Sequence, residues 1–165
     1  MTPPAAISVS AFDQSEDLRA ALLALNNAHA VELSWADEAR LRHMIANAFA
    51  AWRVGAAEAM LIAFDQDADY DSENFLWFRA RYPAFVYVDR VVTAAAARGK
   101  GYARRLYTAR AARAKEVGHV RIVCEVNSDP PNPASDGFHR ALGFVAVGQA
   151  HLAIGKTVNY LELAL

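Results

Sequence analysis

Between an apolar run, Phe85 to Thr93, and a helix-forming run, Arg104 to Val117, the chain places Arg98-Gly99-Lys100-Gly101-Tyr102-Ala103. A strand that breaks at glycines and restarts as a helix turns several backbone N–H groups outward at the positive end of the helix dipole. Such a turn is a ready seat for an anion, and pyrophosphate is its usual guest. Gly99 and Gly101 let the backbone turn and come close to a ligand, while Arg98, Lys100, Arg104 and Arg105 gather positive charge around the same spot. That charge is local. Over all 165 residues, 17 Lys and Arg stand against 18 Asp and Glu, so no bulk charge draws the chain to nucleic acid or to a membrane.

The glycine pattern excludes two well-known phosphate loops. A Walker-type loop needs Ser or Thr after its Gly-Lys pair, and Gly101 is followed by Tyr102 and Ala103. The dinucleotide fingerprint needs a third glycine where Arg104 stands. Arg98, Gly101 and Ala103 do fit Arg/Gln-x-x-Gly-x-Gly/Ala, a pattern that resembles the acyl-CoA-binding loop of the GNAT superfamily of N-acyltransferases. A second stretch of the chain resembles the same superfamily independently: Asn132, Ser135, Phe138 and then Leu142-Gly143-Phe144, at the expected distance past the loop. His139 departs from it, standing where the family usually has Tyr. The two motifs and the strand between them cover roughly residues 84–148, and their wording is similar to a little-characterised bacterial branch of the superfamily.

The residues themselves predict one α/β domain over 1–165, long enough to bury a full core. Ile7 to Ala11 alternates and reads as an opening strand. A helix capped between Asp13 and Ser15 then carries Leu18, Leu22 and Leu25 on one face, frays at Asn26 and Asn27, and is followed by a second helix through Leu41, Met44 and Ile45. Phe49 to Val54 and Ala57 to Phe64 form a hairpin around Gly55. Asp65 to Tyr82 reads as polar and irregular, with an aromatic insert at residues 75–78, before the central strand Phe85 to Thr93. Gly118 ends the helix after the loop, Val120 to Asn127 alternates as a strand, and Pro133 opens another helix. Two strands joined across Gly155 close the chain. The resemblance implies the superfamily's fold for this order: a mixed, mostly antiparallel sheet of about seven strands, split where two central strands diverge, flanked by about four helices.

The resemblance also implies acetyl-CoA as co-substrate and an amine acceptor, with no metal. The pantetheine arm is expected along the main chain of Val91, Val92 and Thr93. The pyrophosphate is expected on Arg98, Gly99, Lys100, Gly101, Tyr102, Ala103 and Arg104, with further contacts from Asn132 and Ser135. From the residues alone, Val91 and Val92 are strand core, Asn132 is a helix N-cap before Pro133, and Ser135 is an ordinary third helical position. Transfer to an amine needs a base, because an ammonium of pKa near ~10.4 has no lone pair, and gains from an acid at the departing thiolate. His139 is the candidate acid, with Tyr102 and Tyr107 as alternative phenols. Asp89 and Glu125 are the candidate bases, and either can instead be an ion-paired structural carboxylate, with Arg90 or Arg121 as the partner. Cys124 alternates with Val120 and Ile122, which places it in the core. His29, Trp35 and His43 are candidates for the acceptor pocket. Asp65, Asp67, Asp69 and Asp71 lack the glycine and glutamate of a calcium loop.

With one cysteine, no basic-then-apolar leader and no apolar stretch of about 20 residues, the chain is expected to be a cytoplasmic protein that binds neither nucleic acid nor membrane. A homodimer through edge strands or the C-terminal hairpin is compatible with the pattern. The expected activity is N-acetyl transfer to a primary amine by direct attack in a ternary complex. The alternative is an acyl-CoA-binding regulatory module without turnover.

Overall fold

Five short polar side chains decide where helices begin in the computed structural model, which describes residues 2–165. Ser8 accepts the Ala11 amide at 3.0 Å, Ser15 that of Leu18 at 3.1 Å, and Asp37 that of Arg40 at 2.7 Å. Ser72 accepts from Phe75 at 3.5 Å and Asn132 from Ser135 at 3.3 Å. Each satisfies an orphan donor of the first turn and is worth about 1 kcal/mol. They open α1 (Val9–Gln14), α2 (Glu16–Asn27), α4 (Glu38–Asn47), α5 (Glu73–Arg79) and α7 (Pro133–Ala141). A short α3 (Ala30–Leu33) follows α2, and α6 (Tyr102–Glu116) starts from Gly101 without a side-chain cap.

Seven strands make one sheet among the described residues: β1 (Ala5–Ala6), β2 (Ala50–Val54), β3 (Ala59–Asp65), β4 (Val86–Thr93), β5 (Arg121–Asp129), β6 (Val145–His151) and β7 (Thr157–Ala164). Their order is β1-β2-β3-β4-β5-β7-β6, antiparallel throughout except for β4 beside β5. The β4–β5 pairing is short. Only Val86 to Ile122 and Tyr87 to Val123 are in register, after which the strands part. Apolar side chains on the two faces build two cores. Phe12, Leu22, Leu41, Met44, Phe75 and Phe78 pack with Met60, Ile62, Tyr87 and Tyr160 on one side. Leu106, Tyr107 and Ala114 of α6 pack with Leu61, Val88, Ile122, Cys124 and Leu161 on the other. No helix among the described residues is long and apolar enough to cross a membrane.

Three local expectations are corrected. The opening strand is Ala5–Ala6, ahead of the expected Ile7 to Ala11, which forms none: the Ser8 hydroxyl caps α1, and Val9 to Ala11 lie in that helix. The segment from Asp65 to Tyr82 is not irregular throughout. Capped by Ser72, its aromatic insert becomes α5, which buries Phe75 and Phe78 completely at i, i+3 spacing. Each of those rings contributes about 2–3 kcal/mol of burial, enough to hold a two-turn helix that has little intrinsic stability. With α1, α3 and α5, the flanking helices number seven among the described residues, not about four.

The seat of α5 also depends on a glycine in β6. A Cβ at Gly148 would lie 2.6 Å from the Trp77 ring, which stacks on Tyr160 with centroids 4.0 Å apart. Gly148→Ala should therefore push α5 off the sheet and lower stability by about 1–3 kcal/mol in urea unfolding. An unchanged midpoint would mean that Trp77 is free to move aside.

Candidate active site

At the end of β4 a 3-10 turn (Ala95–Ala97) carries the chain into the glycine loop, where Gly99 and Gly101 take φ of +81° and +74°. No protein atom lies within 4 Å of a Cβ built at either position. The left-handed backbone, not crowding by the protein, is what calls for glycine here. The first amide of α6 with a helical acceptor is Arg105, bonded to Gly101 O at 3.1 Å. The amides of Tyr102, Ala103 and Arg104 therefore lack intrahelical partners at the positive end of the dipole. They border a cavity of about 360 Å³ lined by Arg98, Gly99, Gly101, Tyr102, Ala103, Arg104 and Phe138.

That space adjoins a larger cavity, about 630 Å³, which Arg98, Gly99, Ala103 and Phe138 also line. It follows β4 from Thr93 back to Val88, reaches β5 from Cys124 to Asn127, and is closed by Asn132, Ser135 and His139 of the α7 segment. Of the residues expected to hold acetyl-CoA, Val91, Val92, Thr93, Arg98, Gly99, Gly101, Tyr102, Ala103, Arg104, Asn132 and Ser135 all border one of these two cavities. Lys100 does not, and its ammonium sits 3.6 Å from Glu58. Arg105 likewise turns away, to the Thr2 carbonyl. Asn132 caps α7, as its place before Pro133 predicts.

Asp89 sits on a bulge. Adjacent Ile62 and Ala63 of β3 face Arg90 and Val88, leaving Asp89 as an extra residue in β4. The bulge inverts the alternation, so Asp89 does not share a face with both Tyr87 and Val91 as an unbroken strand would require. Tyr87 packs in the core with α5, and Val91 packs in the core with α6. The Asp89 carboxylate accepts from Tyr70 Oη at 2.7 Å and Arg90 Nε at 2.6 Å, with both charged side chains about 95% buried. Arg90 in turn donates to Asn26 Oδ1 at 2.5 Å. Asn26, expected to fray α2, is instead a fully buried anchor of this network.

Glu125 faces the same parting of strands from β5. Tyr87 Oη donates to its two oxygens at 2.8 and 3.0 Å, and Asn74 at the start of α5 lines a smaller cavity together with it. Asn74 is itself held by Tyr160 Oη at 2.9 Å. Burial and the negative charge of Asp89 push the Glu125 carboxyl up to about 8, against the pull of its donors. Arg121, a candidate partner for either carboxylate, goes instead to Glu162 at 3.6 Å. Glu125 is thus the carboxylate without a cationic partner.

His139 is 3% exposed and held at both ring nitrogens. Nδ1 lies 2.7 Å from the Ser135 carbonyl, which can only accept, so Nδ1 carries the proton. Nε2, 2.7 Å from Tyr107 Oη, then accepts the phenol proton. Burial lowers the imidazole pKa, favouring this neutral form. In it His139 has no proton directed at the cavity. Tyr107 also lines the cavity beside Cys124, whose thiol burial pushes well up. Of the acceptor-pocket candidates, His29 lines the large cavity and Trp35 a third, smaller one, whereas His43 bonds the Asp69 carbonyl at 3.0 Å and lines neither. Asn74 and Tyr87 escape a reading of the sequence because nothing local marks them. Their roles arise from long-range register and from a helix hidden in a polar segment. No group of three or more His, Cys, Asp or Glu is placed to hold a metal among the described residues.

A family model described as acetyltransferase (GNAT) family matches residues 59–144. No curated protein matches the sequence. Among solved structures, the chain is similar to a Drosophila melanogaster polyamine N-acetyltransferase, with a TM-score of 0.73 at 13% identity over 100% of both chains. It is also similar to the ribosomal-protein-alanine N-acetyltransferase of Brucella melitensis, with a TM-score of 0.68 at 19% identity over 98% of this chain and 99% of that one. YncA of Salmonella typhimurium, solved with acetyl-CoA, gives a TM-score of 0.68 at 18% identity over 100% of this chain and 94% of that one. At such identities the likeness is one of fold.

Gly101→Ala would force a Cβ into left-handed backbone, costing about 1–2 kcal/mol, and re-aim the free amides. Calorimetry with inorganic pyrophosphate should show binding weakened about fivefold or more, with no change in Gly137→Ala, an open position on α7. Equal affinity in both variants would remove the loop from anion binding.

Proposed function

The chain belongs to the acetyltransferase (GNAT) family, and from that premise we propose that it transfers an acetyl group from acetyl-CoA to a primary amine by direct attack in a ternary complex. The observation that carries this reading is the cavity along β4, which runs from the free amides of the glycine loop to Glu125. The diphosphate takes the loop and Arg98. The pantetheine arm lies along the peptide groups that β4 does not share with β5, an added strand in place of a missing neighbour. The thioester then reaches the parting of the strands. YncA, which has this fold, was solved with acetyl-CoA.

Glu125 is the base in this reading, and Asp89 is not. The Asp89 carboxylate is committed to Arg90 and Tyr70, whereas Glu125 receives only neutral donors. A carboxyl near 8 is ionised in part at neutral pH and is basic enough to draw a proton from an ammonium as it binds. The neutral nitrogen attacks the thioester carbon, a C–N bond forms, the C–S bond breaks with its electron pair leaving on sulfur, and the proton that the acylated nitrogen sheds neutralises the thiolate. A thiol of ordinary pKa, about 8.5, leaves without much help. His139 acts by positioning: its Nε2 accepts from Tyr107 Oη beside the cavity, and in the neutral form that burial favours it gives the thiolate no proton of its own. The second reading, a binding module without turnover, draws on the neutral, fully engaged His139.

Thiol release measured across pH separates the two. Because Glu125 must be ionised, turnover should fall as pH drops below about 8. Glu125→Gln should lower kcat about 100-fold or more and abolish that inflection. Asp89→Asn should move the inflection to lower pH, because it removes a negative neighbour that raises Glu125. His139→Ala should cost about tenfold at most, given so good a leaving group. An inflection near 8 that survives in Glu125→Gln would remove Glu125 as the base. Tight CoA binding without turnover of any amine would establish the module.

A further inference from the structure

A third cavity, about 250 Å³, opens on the α5 side of the parting between β4 and β5. Asp89, Arg90, Glu125, Asn127, Glu32 and Leu33 line both it and the large cavity, so the two meet at the base. Its outer walls come from Trp35 and Ala36 after α3, Glu73 and Asn74 of α5, and Leu152, Ile154 and Lys156 of the β6–β7 turn. An amine reaching Glu125 opposite the thioester has this space to occupy.

The cations in that lining are already engaged. Arg90 is held by Asp89, Arg40 by Asp71 at 3.0 Å, and the Lys156 ammonium by the Val31 carbonyl. Glu32 and Glu73 have no ion-pair partner among the described residues, and Glu73 receives only a long 3.5 Å contact from the Ala153 amide. With the two Arg–Asp pairs neutral, Glu32 and Glu73 outweigh Lys156 by one negative charge, and Glu125 adds a second when it is ionised. Leu33, Ala36 and Leu152 give the cavity an apolar strip within a lining that also carries Ser34, Ser72, Asn74 and Asn127. Trp35 and Ile154 stand at the mouth 67% and 70% exposed.

Resting on the acetyl-transfer reading above, we propose that the acceptor is a primary amine with a second positive charge at the far end of a short apolar chain. The reacting nitrogen meets Glu125, the methylenes lie along Leu33, Ala36 and Leu152, and the distal cation is held between Glu32 and Glu73 under the Trp35 ring. A monoamine leaves both rim carboxylates unused, and an ω-amino acid sets its own carboxylate against them.

The test compares kcat/KM for 1,6-diaminohexane, n-hexylamine and 6-aminohexanoate, which share a reacting end and a chain. The diamine should exceed hexylamine by about tenfold, and aminohexanoate should be slower still. The diamine preference should shrink with added salt. Glu73→Gln and Glu32→Gln, checked for folding by thermal melting, should each reduce the ratio of diamine to hexylamine. Hexylamine or aminohexanoate turned over as well as the diamine, a ratio untouched in both variants, or a faster rate with a tetrapeptide amine would overturn the proposal while leaving acetyl transfer intact. Absence of thiol release with every amine would instead overturn the acetyl-transfer reading beneath it.

Discussion

The two-residue pairing of β4 with β5 is the constraint on which the site depends. Central strands of a sheet normally satisfy each other's peptide groups, and an unpaired peptide edge inside a protein is costly. Here the edge is exposed on purpose at one place. Pairing stops at Tyr87, two residues before the extra residue Asp89 bends β4 away from its neighbour. The wedge that opens gives one ligand a strand edge and a second ligand a route from the opposite face of the sheet.

The bulge has a second consequence. By inverting the alternation it buries Asp89 and Arg90 as a pair, tied through Asn26 to the end of α2 and through Tyr70 to the segment before α5. A buried ion pair adds little net stability, and breaking it costs far more because one charge is left alone. The pair locks the helical face around the wedge, and the charge of Asp89 contributes to raising Glu125. Glu125 itself rests on Tyr87, which packs against Phe75 and Phe78 of α5. The helix that Gly148 makes room for is therefore part of the machinery that holds the base.

Much of this was legible in the chain. The glycine loop could be read because left-handed backbone and an uncapped helix start need particular residues at particular spacings, and Asn132-Pro133 because a cap before proline is a local event. The hairpin around Gly55 and the two strands around Gly155 were legible for the same reason. What could not be read depends on partners distant in sequence. A bulge leaves no mark in Val88-Asp89-Arg90, so simple alternation along β4 puts Asp89 on the wrong face. The α5 helix hid in a polar segment because its two buried rings are too few to show a period. His139 was visible as a departure from a motif, but the carbonyl and phenol that set its tautomer lie on the turn before it and on α6.

The central claim is that the glycine loop and the unpaired edge of β4 together hold one extended ligand whose reactive end stops at Glu125. Backbone amide resonances followed during titration with coenzyme A test it most directly. The account requires the largest shifts in two separate stretches, residues 99–104 and 91–93, saturating together at one affinity. Shifts confined to the loop, or centred elsewhere on the sheet, would contradict it.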